Sequence, residues 1–543
     1  MSTERVIVAG AGPAGLAVAI ELGRRGVDCV VVEAASKGGY KLPRTNLVNT
    51  RSMEHFRRWG IADQLRSVNP ISASCARDVV FCTALTGFEL HTFERPFVGT
   101  VADERASERA EWIPQRAVEA TLVKYAESLP SVQFRWGWRV KSFSQSEHQV
   151  EVEVVSSDDP NLTDTLQGSY LAGCDGSRSP VRHGMGIRLE GTPNLLEALV
   201  YDLKVPTLED ELSVGFATGY WVINGAFDGN YSGLFCPQGD GRMQFVLMPK
   251  PAGCDPDSHE DVAEILFAAV GKRIPVEFIR GRGWNLHSII APVFQDRRVF
   301  IAGDAAHLIP NLGGFGMNIS LLDGIDLGWK LAATICGWGG ENLLASYTPE
   351  RRGADLWVKQ IQDYNASILS PDMYRPGMED DTPEAAKLRA EVKDLIIETK
   401  TQEFSSLGCQ LGYRYESSPI IVPDGTTSPP QDPIEYCQTA YPGSLAPHRW
   451  LAETESLFDR FGPEFTLLRT NPAADTTALE RAAHDRRLPL TTLTVPELDL
   501  RGLYAADLVM IRPDQHVAWR GDQVADPYTV IDHIRGAATG MPA

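Results

Sequence analysis

The sequence predicts an α/β protein with a Rossmann-like domain, and three strand-to-helix joints predict it. Val6-Ile7-Val8-Ala9 runs into Gly10-Ala11-Gly12-Pro13-Ala14-Gly15, and Leu171-Ala172-Gly173 runs into Cys174-Asp175-Gly176-Ser177-Arg178-Ser179-Pro180. Arg298-Val299-Phe300-Ile301-Ala302 runs into Gly303-Asp304-Ala305-Ala306-His307 and a glycine cluster ending at Asn318. Each joint couples an apolar run, the mark of a strand buried on both faces, to a turn that opens a helix. Between the second and third joints the pattern changes to antiparallel strands with glycine-bearing turns.

Length and composition bound the problem. A chain of 543 residues holds two or three domains, and 43% hydrophobic with 22% charged residues is ordinary for a globular protein. The formal net charge of -20 argues against partners held through nucleic-acid phosphates or an anionic membrane surface. Nine cysteines are scattered without a CxxC pair or zinc spacing, and their odd count argues against a disulfide framework. The chain enters its first strand without a signal-like leader, and no apolar run reaches spanning length, so the expected location is the cytoplasm.

In the first joint the helix continues to about Arg25, and Cys29-Val30-Val31-Val32 forms the second strand, closed by Glu33. Gly10 and Gly12 permit a tight turn and close approach of a pyrophosphate, while Gly15 permits tight helix–strand packing. Glu33 lies 33 − 15 = 18 positions past Gly15 and can accept hydrogen bonds from a ribose diol. Whether the nucleotide is NAD or FAD is open at this joint. Arg44 and Arg51 flank an extended segment and could embrace a phosphate or adenosine. In the second joint Asp175 orients by hydrogen bonds beside Gly176. In the third, an acidic residue at the strand end, a proline and a glycine cluster bring backbone N–H groups and a helix N-terminus toward a phosphate or an electron-rich ring.

The trio GAGPAG, GCDGSRSPVR and GDAAHLIPNLGGFGMN resembles the flavoprotein aromatic hydroxylases, single-component FAD monooxygenases of the para-hydroxybenzoate and phenol hydroxylase group. The resemblance covers about residues 1–360 by motif. It implies a Rossmann-like FAD-binding domain of the GR2 type with an inserted antiparallel substrate sheet and a thioredoxin-like C-terminal domain. The expected segments are 1–185 for FAD, with a substrate-domain piece near 72–108, then 186–280 for the sheet, 281–400 for the rest of the FAD domain and a helical segment, and 401–543 for the last domain. The family pattern places FAD against Gly10, Gly12, Gly15, Glu33, Arg44, Arg51, Gln115, Asp175, Asp304, Gly313, Gly314, Gly316, Met317 and Asn318. Pro310 matches the proline beside the reacting ring, and Asn46 stands where some phenol-acting relatives carry a histidine base. Asn46 cannot ionise, so a phenol proton must leave by another route or the substrate differs. The usual Pro-Pro-x-Gly is here Pro310-Asn311-Leu312-Gly313. His307 matches a position that helps the motif fold and is not expected to act as a base.

The implied chemistry is hydroxylation of a phenolic or other electron-rich aromatic or heteroaromatic compound, with NADPH or NADH as transient reductant, O2 as oxidant and a flavin C4a-hydroperoxide as the oxygen donor. No metal is expected. On the substrate sheet, Tyr220, Trp221, Asn224 and Phe235 are the candidates for lining the pocket, with the reservation that a strand alternates its faces. Rival readings keep the fold: epoxidation, oxidative decarboxylation, or a non-catalytic binding relative. Halogenation is disfavoured because Trp136-Gly137-Trp138-Arg139 does not complete a WxWxIP motif. Residues 371–383, acidic and proline-bearing, read as a linker or lid loop. Beyond a second break at 426–433, the strand runs Phe465-Thr466-Leu467-Leu468 and Leu508-Val509-Met510-Ile511 and the hairpin 512–520 are similar to the thioredoxin-like extension of phenol hydroxylase relatives. Without a dithiol, its expected role is structural or in a homo-oligomer.

Overall fold

The computed structural model describes residues 5–538, apart from 41, 98–102, 226–231, 256, 369–372 and 497. A six-stranded sheet carries the nucleotide-type joints. Its order is Gln295–Asp296, Val299–Ile301, Tyr170–Gly173, Val6–Ala9, Cys29–Glu33, Val132–Trp136. All neighbours pair parallel except the first two, as expected for apolar strands separated by crossovers. The three joints therefore open at the same edge of adjacent strands, where ligands of open α/β sheets bind. Helices Pro13–Arg24 and Phe315–Ile335 pack side by side on this sheet. They touch closely because a Cβ on Gly324 would strike the Ala14 carbonyl.

The second sheet has eight strands, in the order His307–Leu308, Glu277–Ile290, Glu190–Lys204, Arg242–Met248, Ser232–Gly239, Ala217–Val222, Ala76–Cys82, Glu89–Phe93. It is antiparallel except where Ala217–Val222 and Ala76–Cys82 run parallel. The long ribbon of Glu190–Lys204 and Glu277–Ile290 reaches back to the third joint through His307–Leu308. The strand Glu277–Ile290 runs without a break across position 280, where the sequence reading had set a segment boundary. One face of this sheet packs beneath helix His259–Val270, with Tyr201, Tyr220, Phe235 and Phe245 in its core. The other face, bearing Phe81, Trp221 and Val246, packs with Leu47, Leu312 and the helix Pro383–Phe404. Thr382 caps that helix by accepting from Ala385 N, and Pro383 occupies its first turn. Of the stretch read as a linker or lid, 376–382 are turns and bends, and 371–372 lie outside the described residues.

The last domain is a four-stranded sheet, Leu490–Thr494, Phe465–Arg469, Leu508–Ile511, Val517–Gly521, with helices Thr477–Asp485 and Pro527–Ile534. The first two strands pair parallel and the others antiparallel, which is a thioredoxin-like arrangement. Its hairpin tip at 512–516 is driven into the helices of the first domain. Arg512 is wholly buried there between Glu350, Asp326 and Asp514. Among the described residues, no helix is long and apolar enough to cross a membrane.

Candidate active site

The first joint shows why its glycines are needed. Gly10 has φ +100, and a Cβ on it would fall on the Cys174 carbonyl; a Cβ on Gly15 would fall on the carbonyl of Gly10. These two residues let the turn close on its own helix and on the second joint. Gly12 is different: a Cβ there meets nothing within 4 Å. The helix Pro13–Arg24 starts at Gly12 without a side-chain cap, so its first amides face that open space, which suits a phosphate. Glu33 ends the next strand, and its two carboxylate oxygens accept from Ala11 N at 2.7 Å and Ala35 N at 2.8 Å. The carboxylate is thereby fixed at the turn, with lone pairs left for a diol.

The second and third joints are stitched together. Arg182 donates to Ala305 O at 3.0 Å and to Ser177 O at 2.9 Å. Asp175 accepts from Val181 N at 3.1 Å through one oxygen, while the other is buried with no protein partner. Burial raises its pKa. The orphaned buried oxygen of Asp175 and the open space at Gly12 together fit a dinucleotide such as FAD. Across the cleft Asp304 and Arg44 face one another at 3.9 Å, both partly exposed. Gly314, with φ +75, opens helix Phe315–Ile335 and provides no side-chain cap, and its first-turn amide Gly316 N makes only a weak bond, 3.4 Å to Asn311.

His307 builds the third joint and does not face the cleft. It bonds Asp323 at 2.8 Å, and Asp323 also accepts from Gly303 N at 2.9 Å and from Arg351 at 2.9 Å. Asp323 and Asp355 with His307 have metal-like spacing, but Arg351 already binds both carboxylates. Burial alone would lower the His307 pKa; Asp355 and Asp323 outweigh it and raise it to about 9. A group held above its unfolded value stabilises fully below the unfolded pKa near 6.5 and loses that contribution as pH rises through the folded value. The wild-type protein is therefore expected to lose stability between pH 6.5 and 9 by an amount on the order of 3 kcal/mol, and His307→Gln is expected to flatten that slope. Thermal melts across this range measure it; parallel profiles for the two proteins would rule the ion cluster out as the cause.

Several residues named from the sequence lie elsewhere. Arg51 does not reach the cleft. It is completely buried and donates to Glu54 at 2.8 Å, Gln515 at 2.7 Å and the Asp514 carbonyl at 2.6 Å. Helix Thr50–Trp59 begins at the Asn49 cap and turns this side chain toward the C-terminal hairpin. Asn46 is spent on structure: it donates to Pro237 O at 2.9 Å and accepts from Gln238 at 2.8 Å, clamping the strand Ser232–Gly239 to the first domain. Asn318 accepts from Asn49 N and donates to Leu47 O and Gly314 O, so it holds the glycine turn in shape. Met317 is in the core and Pro310 is buried. Gln115 bonds Glu119 through its side chain and Thr45 O through its backbone N–H, next to Arg44. Gly313, with φ +95, approaches Phe315 and Glu403, and Gly316 donates weakly to Asn311 at 3.4 Å.

Of the four substrate candidates only Trp221 lies on the face toward the glycine turn, in one cluster with Leu47 and Leu312. Its ring stacks on Phe81 at 6.0 Å and 8°. Tyr220 and Phe235 pair across strands on the opposite face. The Tyr220 hydroxyl bonds Ala217 N and Gly215 O, and Phe235 stacks on Phe245. Asn224 donates to Ala268 O of the covering helix. Strand alternation sends Tyr220 and Phe235 away, and Asn224, past the end of the strand, is held by the covering helix. Sequence reasoning missed Phe81, Phe93, Trp112 and Phe404, which join Trp221 in the same aromatic wall. Phe81 carried a signal, the apolar run 79–82, but Trp221, which it faces across the sheet, lies about 140 residues away.

Comparison with known proteins agrees with this geometry. Residues 3–358 match the FAD binding domain family and residues 439–539 the aromatic-ring hydroxylase C-terminal family. The FAD-dependent monooxygenase apdD of Emericella nidulans is 32% identical over 99% of this chain and 90% of its own. Aklavinone 12-hydroxylase RdmE of Streptomyces purpurascens is 29% identical over 96% of each. Among solved structures, RebC with bound 7-carboxy-K252c superposes with a TM-score of 0.89 at 31% identity, covering 98% of this chain and 99% of that one.

Proposed function

Since this chain belongs to the FAD-binding aromatic-ring hydroxylases, we propose that its substrate is an electron-rich aromatic ring seated between the Gly313–Gly314 turn and the Trp221–Phe81 wall. The chain is an FAD-dependent monooxygenase that takes reducing equivalents from NAD(P)H. Bound FAD supplies the activation of dioxygen and the transfer of one oxygen atom. The protein's part is binding, orientation and exclusion of water. Gly12 and the bare helix start behind it provide room and amides for a pyrophosphate, and Glu33 offers acceptors to a ribose. Asp304 faces the cleft where a polyol chain would run, and the uncapped helix behind Gly314 favours negative charge on a ring placed before it, by about 0.3–2 kcal/mol.

The observation that carries the substrate reading is the wall itself. Phe81, Phe93, Trp112, Trp221 and Phe404 converge with Leu312 of the glycine turn, so a ring placed there meets π-faces and apolar edges. Such a wall keeps water from the reacting atoms. Asn46, bonded at both ends of its amide, supplies no proton acceptor. All nine cysteines are unpaired, which suits a reducing compartment such as the cytoplasm.

The test follows NAD(P)H oxidation by the FAD-loaded protein across a library of phenols, heteroaromatics and polycyclic aromatics, with products identified by mass. At least one compound is expected to gain a single oxygen on its ring. Stoichiometric hydrogen peroxide with every aromatic would remove the hydroxylase assignment, and loss of carbon dioxide from a carboxylated ring would favour oxidative decarboxylation.

A further inference from the structure

The chain leaves the site at Glu33 and returns to it at Leu47, whose side chain lies 2.9 Å from the place a Cβ on Gly314 would take. Glu33 and the Gly313–Gly314 turn are the two ends assigned to the dinucleotide, so the intervening stretch starts and finishes where the cofactor does. Its first part is tied to the first domain. The Ala35 carbonyl accepts from Gly137 N at 3.1 Å, and Lys37 pairs with Glu127 at 2.7 Å. Residues 36–40 are exposed and carry no helix or strand. The stretch then crosses to the second sheet. The Tyr40 hydroxyl donates to Asp202 Oδ2 at 2.7 Å, and Gln244 donates to the Pro43 carbonyl at 3.3 Å. Arg44 follows, 3.9 Å from Asp304, and Thr45 and Asn46 close the stretch against Gln115 and Pro237.

Tyr40 is an uncommon anchor. Its residue surface is 48% exposed, yet it has three specific partners. The Arg242 and Arg280 guanidiniums lie over its ring at 5.9 and 5.8 Å, and Asp202, which accepts from its hydroxyl, is wholly buried on the strand Glu190–Lys204. Arg242 already neutralises that carboxylate, donating through Nε to the other oxygen at 3.1 Å, so the aspartate does not depend on the tyrosine. Burial raises the Tyr40 pKa against the opposing pull of Arg242, Arg280 and Arg116, and the hydroxyl keeps the proton it donates. An exposed stretch outside any ladder is held against its conformational entropy only by contacts of this kind. We propose that Tyr40, through Asp202, is a positioning residue for FAD: it tethers the stretch to the second sheet across the cleft and so sets how slowly the cofactor leaves. The inference rests on the placement of the dinucleotide between Glu33 and Gly314; the tether itself rests on the contacts of Tyr40.

The experiment loads the full chain with FAD, dilutes it and follows free flavin by its fluorescence, which needs no turnover. Tyr40→Phe keeps the ring and removes only the hydroxyl, and is expected to release FAD about tenfold faster than wild type. Tyr40→Ala also takes the ring from the two guanidiniums and is expected to release it faster still. Lys37→Ala, on the same stretch but paired with Glu127, is expected to release FAD at the wild-type rate. Melts of the apoproteins separate the tether from a general loss of stability, and Tyr40→Phe is expected to match the wild type there. Tyr40→Ala releasing FAD at the wild-type rate overturns the tether. So does equal acceleration by Lys37→Ala, or a faster release that only follows a lowered melting temperature of the apoprotein. Gly12→Val tests the placement independently. Colour retained by that variant removes the placement itself, whereas a colourless Gly12→Val beside unchanged Tyr40 variants overturns the tether alone.

Discussion

Gly12→Val is expected to give a folded protein that purifies without yellow colour, whereas Gly15→Val is expected to give no folded protein at all. The two positions lie in one turn, yet their surroundings are opposite. A Cβ on Gly12 enters open space with nothing within 4 Å, so a valine there leaves every protein contact in place and fills the volume in front of the first helical amides. A Cβ on Gly15 would sit on the Gly10 carbonyl, a backbone atom that cannot swing aside, and the closure of helix on strand is lost. Such a clash belongs with substitutions costing more than about 4–5 kcal/mol. Absorbance near the flavin band, circular dichroism and a thermal melt distinguish the outcomes. Stoichiometric FAD retained by Gly12→Val would falsify the placement of the pyrophosphate.

Arg512→Ala is expected to lower stability by about 3–5 kcal/mol and to loosen the C-terminal domain from the helices it rests on. Arg512 bonds Glu350 at 2.7 and 2.9 Å, Asp514 at 2.7 Å and Asp326 at 3.2 Å, and all four residues are buried. Lys330 is the other cation of the group, 2.7 Å from Asp326. Removing the guanidinium leaves three buried carboxylates facing one ammonium. Burial raises the Glu350 pKa, but Arg512 and Lys330 outweigh it and hold it at about 2. A depressed carboxyl contributes stability above its unfolded pKa near 4.5 and loses it as pH falls toward the folded value. The wild type is thus expected to weaken between pH 4.5 and 2, and the variant to have already lost most of that dependence. Melting curves and limited proteolysis around 424–440 read the effect. A variant that melts with the wild type and resists protease equally would show that the hairpin tip is held by packing alone.

The role of Arg512 was not legible from the sequence, and neither was that of Arg51. Arg512 sits in a segment read as a hairpin, whereas Arg51, read as the end of an extended segment, lies in the first turn of helix Thr50–Trp59. Their partners are Glu350 and Gln515, far along the chain in each case. The substrate wall shows the same division. Trp221 and Tyr220 were named together as neighbours in one strand, read over 219–224, and the structure has that strand at Ala217–Val222. Which of the two faces the glycine turn depends on the helix His259–Val270 covering one side and Pro383–Phe404 the other. Asn46 was read as the residue in the position of a base; the strand Ser232–Gly239 docks against it and uses both ends of its amide.

By itself the sequence determined the three joints, the antiparallel insertion and the thioredoxin-like strands, because a glycine turn, an apolar strand and a helix start are each encoded within a few neighbouring residues. Only the tertiary structure decided that Asp304 meets Arg44 and that Arg51 turns inward. The physical reason is that the direction of a side chain and its charge environment are properties of the surface packed against it, and that surface comes from distant parts of the chain.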